Sequence, residues 1–219
     1  GTLFPYTTLF RSPVPARAGG RRLSGGARAA GGLRWRRGGC HAPPVSPPAR
    51  RPNVVDRLYQ LAYRGAYQLM RVYWAVRRPN THGALVAIWH EGEILVVRNS
   101  YVTYHSLPGG YVRRGETGRE AALRELQEEV GVAARAEALT LVLDRTSEWE
   151  GKRDRVEIFA LEAATRPSVA IDHREVVEAG WYRPERALAL ALFPPLRAIL
   201  EQRVSAPASS PRPAAEPAR

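Results

Sequence analysis

Cysteine, methionine and lysine are nearly missing from this chain, with one of each in 219 residues. The single cysteine, Cys40, cannot close an internal disulfide, which excludes a disulfide-stapled secreted scaffold. Five scattered histidines beside it make no zinc-type cluster. No run of about 18 uncharged apolar residues occurs, so no transmembrane helix is expected. The N-terminus also lacks the apolar core of a secretory signal, and a cytoplasmic location is the resulting expectation. Acidic residues are absent from residues 1–52, where 10 arginines, 9 glycines and 8 prolines accumulate. Such a segment cannot bury enough apolar surface to order itself, and the same holds for the Pro/Ala/Ser tail over 205–219.

The net charge of +12 is uneven. Residues 1–79 carry 15 arginines against Asp56, whereas residues 80–204 carry 16 basic and 19 acidic side chains. A nucleic-acid or membrane argument from charge therefore concerns only the first 79 residues, and no specific nucleic-acid partner is expected. Residues 2–12 resemble the in-frame translation of a sequencing adapter. That resemblance implies that residues 1–52 are not native protein; the other reading is a basic arm for RNA or membrane.

Residues 53–79 change character. Asn53 suits an N-cap and Asp56 a first turn. Apolar residues recur at helical spacing from Val54 through Leu58, Leu61, Leu69 and Val72 to Val76, while Arg57, Arg64, Arg71 and Arg78 repeat every seven residues along another face. Pro79 ends the pattern. The expectation is an amphipathic helix whose apolar face packs on its own domain or on a second copy in a homodimer. The alternative is peripheral contact with an anionic membrane through residues 53–78.

Beyond residue 80, strands are expected over 84–89, 94–97, 139–144, 156–161 and 176–182, with helices over 117–130 and 193–203. Strands that do not alternate strictly with helices predict an α+β domain with a mixed sheet, spanning residues 80–204. In the first of these helices Glu125, Glu128 and Glu129 share one face while Leu123, Leu126 and Val130 lie on another. Three carboxylates so close repel unless a cation sits among them, and an oxygen-only ligand set suits Mg²⁺ or Mn²⁺. A solvated acidic face paired with Arg124 is the plainer reading of that helix alone.

The loop before the helix changes the balance. From Gly110 to Val132 the residues follow Gly-x5-Glu-x7-Arg-Glu-U-x-Glu-Glu-x-Gly-U, with U apolar, at every specified position. This segment resembles the Nudix box, and residues 82–203 are more loosely similar to the Nudix hydrolase family. The resemblance implies an α/β/α sandwich and Mg²⁺-dependent hydrolysis of a nucleoside diphosphate linked to another moiety, a small-molecule nucleotide substrate. It implies Glu128 and Glu129 as metal ligands, Glu125 as a ligand or general base, Arg124 as the residue orienting it, and the Gly109 carbonyl as a further ligand. Gly110, Glu116 and Gly131 brace the box. Glu148, Glu150 and Asp154 are candidates for an extra base or ligand, against a plain reading as a solvated hairpin turn. Asp172, Glu175 and Glu178 form a weaker second group. Tyr101, Tyr104, Tyr111 and Trp149 are candidates for stacking on a base, or packing residues. Two other functional readings remain: a non-catalytic nucleotide sensor, and a membrane-attached hydrolase of a lipid-linked diphosphate.

Overall fold

In the computed structural model, which describes residues 52–205, the central sheet starts from a hairpin that the sequence spells plainly. Strands β1 (Asn80–His90) and β2 (Glu93–Asn99) are joined by Glu91-Gly92, both at positive φ (49° and 77°). Two successive positive φ values are what the tight hairpin turn matching the strand twist requires. Strand β3 (Gly109–Tyr111) pairs with the start of β1, and helix α2 (Gly118–Val130) follows. Strands β4 (Leu139–Trp149) and β5 (Lys152–Glu162) form a second hairpin, and β6 (Val176–Tyr182) completes the sheet. Its order is β4-β5-β1-β2-β6, with β3 beside β1. Only the β1–β5 pair is parallel, so the sheet is mixed as expected. The disorder expected for residues 1–52 and 205–219 falls, apart from Pro52 and Ser205, outside the described residues.

Alternation along the strands builds two cores. Val86, Ile88, Leu95 and Phe159 face Ala121, Ala122, Leu126 and Val130 of α2. Ala87, Ile94, Val96 and Ile158 point the other way, onto Ala187 of the short helix α3 (Pro184–Ala187) and Leu196, Ile199 and Leu200 of α4 (Pro194–Ser205). One sheet with helices on both faces follows from period-2 side chains with no polar side.

One expectation is sharpened and one needs correction. The hairpin turn expected within residues 147–154 is present and tight: β4 and β5 run on to a two-residue turn at Glu150-Gly151, again with both residues at positive φ. Register is carried through by ten Cα pairs from Leu139↔Leu161 to Trp149↔Lys152, interrupted by a bulge between Leu141 and Leu143.

The correction concerns helix α1 (Val54–Arg77). Its capping is as expected, with Asn53 and Asp56 exchanging side-chain-to-backbone hydrogen bonds of 2.8 and 2.9 Å. Its apolar face, however, does not pack on the domain. The buried residues are Asp56, Tyr63, Tyr67 and Trp74, whereas Val54, Leu58, Leu61, Leu69, Val72 and Val76 are all exposed. The domain offers polar partners where α1 lands. Arg174 pairs with Asp56, the Tyr67 hydroxyl donates to Glu150, and the Lys152 ammonium sits 4.6 Å over the Trp74 ring. Amphipathic aromatics satisfy such a surface and aliphatic side chains do not.

Candidate active site

The box begins where β3 meets β1. Gly109 has φ +150°, and a Cβ there would lie 2.3 Å from the Ala84 carbonyl oxygen and 2.7 Å from Leu85. Only glycine lets the chain pass so close to β1. Residues 112–117 then lead into α2, where Thr117 is the N-cap of a capping box with Glu120, and Gly131 closes the helix as C-cap. Ala121, Ala122, Leu126 and Val130 anchor α2 to the sheet, and this orients the remaining positions.

Two carboxylates are buried by that orientation. Glu129 is 7% exposed, and its Oε2 accepts a 2.8 Å hydrogen bond from the Gly109 N–H. Glu125 is 1% exposed and lies so near Gly110 that a Cβ there would be 2.7 Å from its Oε1. The two glycines thus let two glutamates on one helix face reach the same short stretch of backbone. Glu128, one position back, stands at the exposed rim, 3.8 Å from Arg113 and 3.4 Å from Arg124.

Arg124 joins the parts. Its guanidinium donates to both oxygens of Glu116 (2.8 and 2.9 Å) and to the Tyr111 carbonyl (3.1 Å), and it also bonds Glu125. The fork fixes a planar, bidentate pair. The Arg124 hydrogen bond, with help from the Arg113 backbone N–H, holds the Glu116 carboxyl below its ordinary value. Burial works against the charge on Arg124, yet Glu116 and Glu125 together keep it firmly protonated.

Among the described residues, no three His, Cys, Asp or Glu side chains stand converged as a ready-made metal cage. Mg²⁺ does not need one: it keeps several waters, binds through one or two carboxylates and completes its shell with substrate phosphates. Two buried glutamates beside a glycine backbone and a third at the rim, all offering oxygen, fit that cation.

The three outlying acids go elsewhere. Glu148 is exposed on β4. Glu150 sits at the hairpin tip and accepts the Tyr67 hydroxyl at 2.6 Å. Asp154 is 5% exposed and is held by Thr81 (2.5 Å) and Lys152 (3.2 Å). Of the second group, Glu175 accepts from the Tyr101 hydroxyl, Asp172 accepts from the backbone N–H groups of residues 174–176, and Glu178 pairs with Arg98. Tyr104 and Trp149 pack on Phe193. Tyr101 packs on Tyr63 and Tyr67 of α1, and burial, then the charges of Glu175 and Glu129, lifts its phenol well above the usual range.

Glu157 was not singled out by sequence reasoning. It is 9% exposed on β5, 3.3 Å from the His82 ring and 2.8 Å from Arg155, against the N-terminal residue of α2, Gly118. Its signal lay in the run Val156-Glu157-Ile158-Phe159-Ala160-Leu161, where alternation puts Glu157 on the same face as Phe159 and Leu161.

Comparison with known proteins bears on the family and the fold. A family model for the NUDIX domain matches residues 79–202. A Bacillus subtilis (strain 168) protein, provisionally described as an 8-oxo-dGTP diphosphatase, is 42% identical over 66 residues, 30% of this chain and 44% of that protein. An uncharacterised Nudix hydrolase, orf19, from Rhodococcus erythropolis is 34% identical over 88 residues, 37% of this chain and 48% of that protein. The chain thus spans less than half the length of these curated relatives. Among solved structures, a MutT NUDIX hydrolase from Burkholderia pseudomallei superposes with a TM-score of 0.51 at 24% identity, covering 56% of this chain and 97% of that one. The MutT protein from Methanosarcina mazei Go1 does so with a TM-score of 0.51 at 23% identity, covering 58% and 94%.

Proposed function

From the chain's membership of the Nudix hydrolase family, established over residues 79–202, we propose that it hydrolyses a diphosphate bond in a nucleotide or nucleotide derivative with Mg²⁺. The observation that carries this reading is the burial of Glu125 and Glu129 against Gly109–Gly110, with Arg124 locked between Glu116 and Glu125. Glu125, Glu128 and Glu129, with the Gly109 carbonyl, are the groups that would hold the ion. When bound, it supplies positive charge to phosphate oxygens whose own charge otherwise repels a nucleophile.

The protein's own groups do the rest. In the base role that is the alternative to ligation, Glu125 accepts a proton from the attacking water. Arg124 holds Glu125 in one orientation, because its other donors are committed to Glu116 and the Tyr111 carbonyl. The N–H of Gly109 fixes the Glu129 carboxylate, so the site is arranged before substrate arrives. Mn²⁺ suits the same oxygen donors.

The similarity to a protein described as an 8-oxo-dGTP diphosphatase makes oxidised and ordinary nucleoside triphosphates the first substrates to assay. ADP-ribose, nucleotide sugars and dinucleoside polyphosphates complete the panel. The expected result is release of phosphate or pyrophosphate from one class, abolished by a chelator and restored by Mg²⁺. Binding of a nucleotide sugar with no turnover of any panel member would overturn hydrolysis and favour the sensor reading.

A further inference from the structure

Helix α1 turns one face to the domain and the other away from it, and the outer face has its own chemistry. At 100° per residue, Leu61, Val54, Val72, Leu58, Val76, Leu69, Tyr73 and Val55 fall within an arc of roughly 120°. They are between 46% and 75% exposed. Ala62 and Gly65 lie within the same arc and are also exposed. This arc is centred nearly opposite Asp56, Tyr63, Tyr67 and Trp74, which are buried against the domain. The helix cannot roll to hide it: Gln60 donates to the His173 carbonyl, Arg64 to the Ser100 carbonyl, and Tyr67 to Glu150. A continuous aliphatic strip about six turns long is more than an isolated soluble surface usually exposes, and it marks an interaction site.

The charges bordering the strip say what covers it. By the same rotation Arg57 lies about 40° outside one edge of the strip and Arg77 about 40° outside the other, with Arg71 about 80° outside the first; all three are exposed. The only acid of the helix, Asp56, is fully buried and paired with Arg174. A second copy laid on this strip would bring arginine against arginine with no exposed carboxylate on either helix to offset them. A partner helix would also need only a narrower seam. An aliphatic strip with arginines on both borders, and a tyrosine at its edge, fits the boundary between lipid headgroups and acyl chains, where long basic side chains reach up to anionic headgroups.

We propose that the outer face of α1 docks on an anionic lipid bilayer, with Leu58, Leu69, Val72 and Val76 in the acyl boundary and Arg57, Arg71 and Arg77 at the headgroups. No described helix is long and apolar enough to cross a membrane, so the contact is peripheral. The docked helix keeps its aromatic face on the domain, and the proposal stands whether or not the diphosphatase reading does.

The test is co-sedimentation of the full chain with vesicles of phosphatidylcholine alone and of equal parts phosphatidylcholine and phosphatidylglycerol. The wild type is expected to sediment with the anionic vesicles, less with neutral ones and less as salt rises. Leu58→Glu/Leu69→Glu/Val72→Glu alters only outward side chains and is expected to lower partitioning by about a hundredfold or more, with thermal unfolding unchanged. Arg57→Gln/Arg71→Gln leaves the strip intact and is expected to weaken binding to anionic vesicles alone by about tenfold or more, so the idea stays testable if the first variant misfolds. Undiminished sedimentation of both variants would show that other arginines hold the lipid and would overturn the proposal, as would no sedimentation of the wild type. Light scattering that finds a lipid-free dimer, dissociated by the glutamate variant, would overturn it in favour of a second copy.

Discussion

At the residue scale the box rests on where two carboxylates are held. Glu129 meets the Gly109 N–H through one oxygen, a bond that a glutamine side-chain oxygen can also accept. Glu129→Gln is therefore expected to fold like the wild type by circular dichroism while diphosphate hydrolysis drops roughly a hundredfold or more, since the charge proposed to hold the cation is gone. Near-normal Mg²⁺-dependent turnover would refute the assignment. Spacing alone brought Glu125, Glu128 and Glu129 to one face. It did not show that Glu125 and Glu129 are buried while Glu128 stands at the rim. That division comes from Ala121, Ala122 and Leu126 pressing α2 onto the sheet. Glu148, Glu150 and Asp154 show the opposite limit: acids close in sequence are dispersed by strand alternation to solvent, to Tyr67 and to Thr81.

At the element scale, two joints can be tested. Gly109→Ala would place a methyl against the β1 backbone at a φ that alanine avoids, and is expected to cost about 2 kcal/mol or more. A lowered denaturant midpoint with loss of turnover is the readout. The second joint is the seat of α1. The chain's one lysine, Lys152, is 6% exposed between the Trp74 and Tyr111 rings (4.6 and 5.0 Å), donates to the Tyr111 hydroxyl at 2.8 Å and pairs with Asp154. Lys152→Met leaves Asp154 buried without its cation and is expected to destabilise by about 3 kcal/mol. Adding Asp154→Asn should recover at least about 1 kcal/mol of that loss in a double-mutant cycle. Strict additivity would show that the pair is not coupled. The seat was illegible in the sequence because its partners, Trp74, Tyr111 and Lys152, come from three separate elements.

At the scale of the whole molecule, acid-dependent stability has contributions from three carboxyls among the described residues that are held below their ordinary values. Hydrogen bonds do this in each case: Arg124 for Glu116, the Thr117 backbone and hydroxyl for Glu120, and Arg155 for Asp144. A carboxyl depressed in the fold binds fewer protons there than in the unfolded chain. Its contribution is complete above the ordinary values of 4.5 for glutamate and 3.8 for aspartate, and it is lost as pH falls below them. Urea midpoints are expected to fall as pH drops through that region, and Glu116→Gln should flatten the fall. An unchanged slope would remove Glu116 from the account. The helix and strand periods, the Asn53 and Thr117 caps, the Glu-Gly turn after β1 and the whole box were determined by the sequence itself, because each depends on neighbours within a few residues. Only the tertiary structure decided which face of α1 meets the domain. Local period identifies an apolar face but not its partner, and the polar seat formed by Arg174, Glu150 and Lys152 took the tyrosines and Trp74 and left the aliphatic strip outside.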